Sequence, residues 1–334
     1  MDIFFSKMEL QVEVDLCFPL LSNSSCRKPK SALSEAALLR FLLFSFSVIT
    51  VALNLLVIIA VSHFRQLHTP TNTLLLSLAV SDFLVGLLLM PGEILRNTAC
   101  WLLGDLMCSL YNYVSYIITS TSVGDMVLIS VDRYVAICDP LHYPSRVTER
   151  KVKVCVCLCW LCSALYNSGI VMSDLTHPGR FNSCHGECVI FVDSIIGTLD
   201  IVITFIAPVF VIVVLYMRVF VVAVSQARAM RSHVTAVTLQ LSVATKKSEL
   251  KAARTLGVLM LVFLSCFCPY YCVSLAGDEL LSDSSASYSL FLFYLNSTLN
   301  PVIYAMFYPW FRKAVNLIVT LQILQPGSSE VSIH

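Results

Sequence analysis

The sequence predicts an all-α membrane protein: a seven-transmembrane helix bundle with a short amphipathic eighth helix. Three observations predict it. First, the 334 residues are 57% hydrophobic and only 13% charged, with a mean hydropathy of +0.80, whereas soluble domains sit nearer half apolar and a quarter charged. Second, the apolar residues gather in seven blocks, 33–61, 71–95, 107–137, 152–173, 194–224, 252–276 and 286–308, each long enough to cross about 30 Å of hydrocarbon as a helix. Backbone in lipid must satisfy its own hydrogen bonds, so the blocks are helices. Third, Lys and Arg are unevenly divided between the loops on the two sides. The chain then divides into a polar segment 1–32, the seven-helix domain 33–308, and helix eight with its tail, 309–334.

Orientation follows from the basic residues. With residue 1 outside, seven of the 22 Lys and Arg lie outside (Lys7, Arg27, Lys28, Lys30, Arg40, Arg96, Arg180) and the remaining fifteen inside, clustered at 146–153, 218–254 and 312–313. The positive-inside rule therefore places the N-terminus outside and the C-terminus in the cytosol. The sequon at Asn23 falls on the outer side, where glycosylation occurs. A similar triplet at Asn296 lies inside the seventh helix and should stay bare. Of 14 cysteines, Cys17, Cys26, Cys108, Cys184 and Cys188 lie at or near the oxidising outer side, with Cys100 a sixth candidate; their connectivity is not legible from sequence. The rest are small apolar fillers of the spans.

Composition also excludes function classes. A net charge of +1 gives no basis for nucleic-acid binding. There is no Gly-rich phosphate loop, no His/Cys metal spacing and no nucleophile elbow, so no enzyme is expected. The seven spans show no inverted repeat of the transporter kind. The seventh carries no Lys for a retinal Schiff base.

Polar residues at membrane depth remain. A carboxylate there costs roughly 2.5–3.5 kcal/mol on insertion scales, so each needs a reason. Asp200 sits near the middle of the fifth apolar run, FVDSIIGTLDIVITFIAP, which holds no Lys or Arg. Asp82, Ser122, Asn296 and Asn300 lie on three helices. Their oxygens suit a hard cation such as sodium or, equally, a plain interhelical hydrogen-bond network. Asp125 is rotated away from Ser122 towards helices two and four, which suits a structural hydrogen bond, with Trp160 a candidate. At the inner edge, Asp132 and Arg133 end the third helix and Glu249 opens the sixth. An Arg133–Glu249 pair would act as a two-state latch; simple snorkelling of Arg133 to the interface is the alternative. Pro208, Pro269 and Pro301 each free a carbonyl within a span and permit a bend.

Together these motifs resemble the rhodopsin-like (class A) G-protein-coupled receptors, over residues 40 to 320. The resemblance rests on Asn54, LSLAVSD ending at Asp82, Cys108, DRY at 132–134, Trp160, Pro208 with Tyr216, FCP around Pro269 and NPVIY at 300–304. A narrower likeness lies in NSTLNPVIYAMFYPWF, 296–311, which is similar to the trace amine-associated receptor fingerprint NSxxNPxxYxxxYxWF at every fixed position. CWLLGDLMC, DRYVAICDPLHY and KAARTLGVLM resemble the same subfamily. The chain departs from it at Ser115, where amine receptors usually carry Asp, and at Phe267, where the family carries Trp.

The resemblance implies a plasma-membrane receptor without a cofactor; a structural sodium ion at Asp82, Ser122, Asn296 and Asn300 stays one of the two readings of those residues given above. Its partners would be a small amine, membrane lipid and a heterotrimeric G protein, of the stimulatory type that raises cyclic AMP. A teleost-expanded branch of the subfamily lacks the third-helix Asp and carries one at the position of Asp200, so the ligand ammonium is expected there. Ser115, Tyr116, Thr119, Thr204, Phe267, Tyr270, Tyr271 and Tyr294 would line the pocket. Asp132, Arg133, Glu249, Tyr216, Asn300, Pro301 and Tyr304 would form the activation switch. The resemblance further implies a Cys108–Cys188 disulfide, and a second from Cys184 to either Cys17 or Cys26. The alternatives are a receptor for a non-amine ligand with Asp200 neutral, and an ion or proton translocator using Asp82, Asp125 and Asp200 as a relay.

Overall fold

The structure, a computed structural model, describes residues 14–21, 23–29, 33–98, 100–189, 192–232, 240–276 and 283–332. For 14–15, 28–29, 33–40, 97–98, 226–232, 240–256, 276 and 283–288 it describes the backbone course alone. Seven helices are long and apolar enough to cross a membrane, and they fall on the seven blocks. In chain order the helices are α1 (Leu33–His63), α2 (Pro70–Leu84), α3 (Met90–Thr98), α4 (Asp105–Cys138), α5 (Tyr143–Arg146), α6 (Glu149–Thr176), α7 (Ser194–Ile201), α8 (Ala207–Ser232), α9 (Gln240–Ala276), α10 (Asp283–Phe307) and α11 (Pro309–Val319).

Local chemistry sets several boundaries. The Thr69 hydroxyl accepts from the Asn72 N–H and Pro70 fills the first turn, so α2 starts there. Thr148 caps α6 in the same way. The second and fifth spans are not continuous α-helices. α2 passes into α3 through a π-helical turn, Val85–Leu89, and α7 into α8 through another, Val202–Ile206. The cause is proline, which has no N–H for the carbonyl four residues before it. Those carbonyls belong to Leu87, before Pro91, and Thr204, before Pro208, and both fall inside the π-helical turns. Each turn re-aims the helix beyond it, and both border the site described below.

The bundle is pinned by buried polar contacts as well as by its core of Leu75, Leu78, Met126, Phe263 and Tyr304. Asn54 donates to the Ser297 carbonyl at 2.9 Å, tying α1 to α10. Ser77 donates to both oxygens of Asp125, at 2.9 and 2.8 Å, and accepts from the Trp160 indole N–H at 3.1 Å. Asp125 therefore joins the second, third and fourth spans, with Ser77 standing between it and Trp160. Large apolar side chains such as Leu165, Phe210 and Leu261 stay exposed on the flanks, as a bundle in lipid requires. α11 is the short eighth helix; it buries Trp310, Phe311 and Ala314. Arg312 beside them donates to the Ala305 and Met306 carbonyls at the end of α10, which have no helical partner there.

One end of the bundle carries a cap. Strands β1 (Val14–Leu16) and β2 (Arg27–Pro29) form an antiparallel hairpin. Three disulfides fasten it and the loop after α6: Cys108–Cys188, Cys26–Cys184 and Cys17–Cys100. Cys26, not Cys17, is thus the partner of Cys184. Cys17 instead reaches Cys100, a bridge the sequence reading did not form. Asn23 is exposed in the hairpin turn, while Asn296 is buried.

Candidate functional site

Beneath the cap lies a cavity of about 360 Å³ between the second, third, fourth, fifth, sixth and seventh spans. The π-helical turns place its two most polar regions. After Val85–Leu89, α3 brings Glu93 and Arg96 to one side. Before Val202–Ile206, α7 brings Asp200 to the other. Eight of the nine residues expected in the pocket line it: Asp200, Ser115, Tyr116, Thr119, Thr204, Tyr270, Tyr271 and Tyr294. Phe267 does not. It is buried one level lower, with its ring 4.4 Å from that of Phe263 and 4.3 Å from that of Phe293, and it is Phe293 that lines the cavity.

Asp200 is half-buried, and its Oδ1 has no hydrogen-bond partner among the described residues. Tyr166 of α6 lies beside its carboxylate. Tyr116, Tyr270 and Tyr271 line the same cavity as Asp200. The Tyr271 ring is stacked on Phe205 at 3.9 Å, which holds it in place. Thr204 spends its hydroxyl hydrogen on the Asp200 backbone carbonyl, at 2.8 Å. Ser115 donates to the Tyr111 carbonyl at 2.8 Å, as a helical serine commonly does.

At the other side Arg96 pairs with Glu93 at 2.7 Å, and the Tyr111 hydroxyl lies 3.2 Å from the second Glu93 oxygen. Tyr111 approaches because residue 92 is glycine: a Cβ there would collide with its ring. Tyr166, Arg96, Tyr111 and Phe293 are the lining or supporting residues that the sequence reading missed. Glu93 and Arg96 were legible in principle, because three residues apart on a helix share a face.

Two further polar groups lie deeper. Asn300 donates to Asp82 at 2.8 Å, while Asp82 Oδ1, Asn300 Oδ1, both polar atoms of the Asn296 side chain and the Tyr304 hydroxyl are buried without partners among the described residues. Ser122 is buried at the same level. At the end opposite the cap, Asp132 accepts from Arg133 (2.9 Å), Thr71 (3.0 Å) and Tyr143 (2.8 Å), and Arg133 also donates to Thr71. The side chain of Glu249 lies outside the described residues, so the expected latch is not seen; within them Arg133 pairs with Asp132. Tyr216 packs against Gly257 of α9, where no Cβ would fit without displacing its hydroxyl.

Comparison with known proteins agrees with this architecture. A family model, 7 transmembrane receptor (rhodopsin family), matches residues 53–304. The chain is 38% identical to trace amine-associated receptor 13c of Danio rerio, over 95% of each chain. It is 37% identical to trace amine-associated receptor 4 of Mus musculus, over 96% of each. It is 33% identical to trace amine-associated receptor 1 of Homo sapiens, over 92% of this chain and 94% of that one. With a multi-pass bundle, a cavity under its cap and these relatives, the chain belongs to the rhodopsin family of G-protein-coupled receptors, in the trace amine-associated receptor group; it is a receptor and not an enzyme.

Proposed function

We propose that the protein is an amine receptor of the plasma membrane in which the ligand's ammonium pairs with Asp200. The observation that carries this reading is the buried Asp200 Oδ1, without a partner among the described residues, at a cavity wall framed by tyrosines. A carboxylate in this position is incompletely satisfied by the protein. A primary ammonium supplies both the missing charge and the missing donors, and tyrosine faces attract cations within about 6 Å of the ring centroid. The relatives' names, trace amine-associated receptors, support the same ligand class. Ser115 stands where amine receptors usually carry an acid, so the ammonium lies towards the fifth span.

In this reading the capped end faces outside and the Arg133 end faces the cytosol, as the basic residues indicate. Amine binding draws the fifth span inward, α9 bends at Pro269 and α10 at Pro301, and Arg133 leaves Asp132 and any Glu249 contact. Tyr216 and Tyr304 then rearrange as a stimulatory G protein docks, and cyclic AMP rises. The ligand drives this change only through its differential affinity for the two states. The unpartnered oxygens of Asp82, Asn296 and Asn300 fit a sodium ion, with Ser122 completing the set; the ion would stabilise the resting arrangement.

The test is a cyclic AMP dose–response to a panel of amines, comparing wild type with Asp200→Asn at matched surface expression. Loss of the response in the variant is expected. An unchanged response would make Asp200 structural. Silence of the wild type to every amine would favour a non-amine ligand.

A further inference from the structure

The amine reading leaves the Glu93–Arg96 pair without a role, although both residues line the same cavity as Asp200. The pair is largely enclosed, with side-chain exposures of 30% for Arg96 and 10% for Glu93. One Glu93 oxygen is held by Arg96 at 2.7 Å; the other lies 3.2 Å from the Tyr111 hydroxyl, which also donates to the Leu89 carbonyl at 3.0 Å. Asp200, at the other side, keeps one oxygen without a partner among the described residues. Tyr270 lines the same cavity as Asp200, Glu93 and Arg96.

The charge balance follows. The lining holds two carboxylates and one guanidinium, and its other polar residues are tyrosines, hydroxyls and one amide. The cavity therefore carries a net single negative charge, concentrated at Asp200. One ammonium neutralises it. A second ammonium on the same ligand that approaches Glu93 must displace Arg96 or sit beside its like charge, and between partly buried charges that repulsion is weakly screened. Specificity built on a repulsive element is a common device.

We propose that Arg96 is a selectivity residue: by holding Glu93 in an internal ion pair, it restricts the cavity to ligands bearing one ammonium and excludes α,ω-diamines. This rests on the amine reading above. It extends that reading by naming the substrate class and the residue that sets it.

The test uses full-length receptor purified in nanodiscs. Apparent affinities for 1-aminopentane and 1,5-diaminopentane are read from ligand-induced thermal shifts, so G-protein coupling does not enter. Wild type is expected to prefer the monoamine at least roughly tenfold, a difference of about 1.4 kcal/mol. Arg96→Gln should shift the ratio towards the diamine by at least roughly tenfold, Arg96→Lys should keep the wild-type ratio, and the double variant Arg96→Gln with Glu93→Gln should lose the gain. A diamine preference in wild type, or an unmoved ratio in Arg96→Gln, would overturn the proposal. Glu93→Gln provides a second route if Arg96→Gln does not fold. It leaves the guanidinium uncompensated and should weaken both amines, the diamine more; unchanged affinities would equally overturn the proposal. If the monoamine binds through Asp200 while Arg96→Gln leaves the ratio alone, only this inference fails. If neither amine binds wild type, the amine reading fails and takes the inference with it.

Discussion

Asp132 and Asp200 are both carboxylates on membrane-spanning helices, one towards each end of the bundle. Asp132 is 3% exposed and accepts from Arg133, Thr71 and Tyr143. Asp200 lines a cavity beside Tyr166 and keeps an oxygen without a partner among the described residues. The difference separates two uses of a costly group. A fully paired carboxylate holds neighbouring helices in one arrangement, and releasing it changes conformation. A half-paired carboxylate at a cavity wall is completed by something that arrives. Asp125, held by Ser77 through both oxygens, belongs with Asp132.

The comparison breaks most visibly at Asp132. Asp132→Asn leaves Arg133 without its anion in an enclosed site, where losing one partner of a buried pair costs about 3–5 kcal/mol. The variant should melt at a lower temperature and show raised basal cyclic AMP, with amine potency undiminished. Unchanged stability and basal signal would mean that the Asp132 pairing does not hold the resting state. A smaller effect is expected at the structural carboxylate. Ser77→Ala removes the donor to Asp125 and the acceptor for Trp160, which should cost about 1–3 kcal/mol in thermal stability. Amine potency should stay within roughly threefold, since Asp125 is on the structural side of the comparison. A selective loss of potency at intact stability would move Asp125 into the site. The smallest effect is expected from Tyr166→Phe. Removing the hydroxyl beside Asp200, worth about 0.5–1.5 kcal/mol if it bonds the carboxylate, should weaken amine binding by roughly 2- to 10-fold in a competition assay. A loss as large as that from Asp200→Asn would make the tyrosine, rather than the carboxylate, the principal contact.

The spans were legible because hydropathy is a one-dimensional property: the block 107–137 became Asp105–Cys138, and 194–224 became Ser194–Ser225 within the span. The walls of the site were legible where a helix face could be extrapolated, as for Ser115, Tyr116 and Thr119 or for Asp200 and Thr204. What was missed needed a second chain segment. Cys184 had two candidate partners, and only the hairpin register, with Cys26 beside His185, selects between them. Tyr166 meets Asp200 across two helices and carries no local signal. Phe267 was assigned by its distance from Pro269, but Phe293 of α10 covers it. The π-helical turns were partly legible from Pro91 and Pro208, yet how far each turns Glu93 or Asp200 towards the cavity depends on packing.

The central claim is that Asp200 meets a positive charge, and the most direct measurement varies that charge on both partners. Wild type and Asp200→Asn would each be titrated with an amine and with its isosteric neutral alcohol, reading ligand-induced thermal stabilisation of the purified receptor. Pairing predicts that the amine stabilises wild type far more than the alcohol does, and that this difference disappears in Asp200→Asn. An amine that stabilises the variant as well as wild type would contradict it.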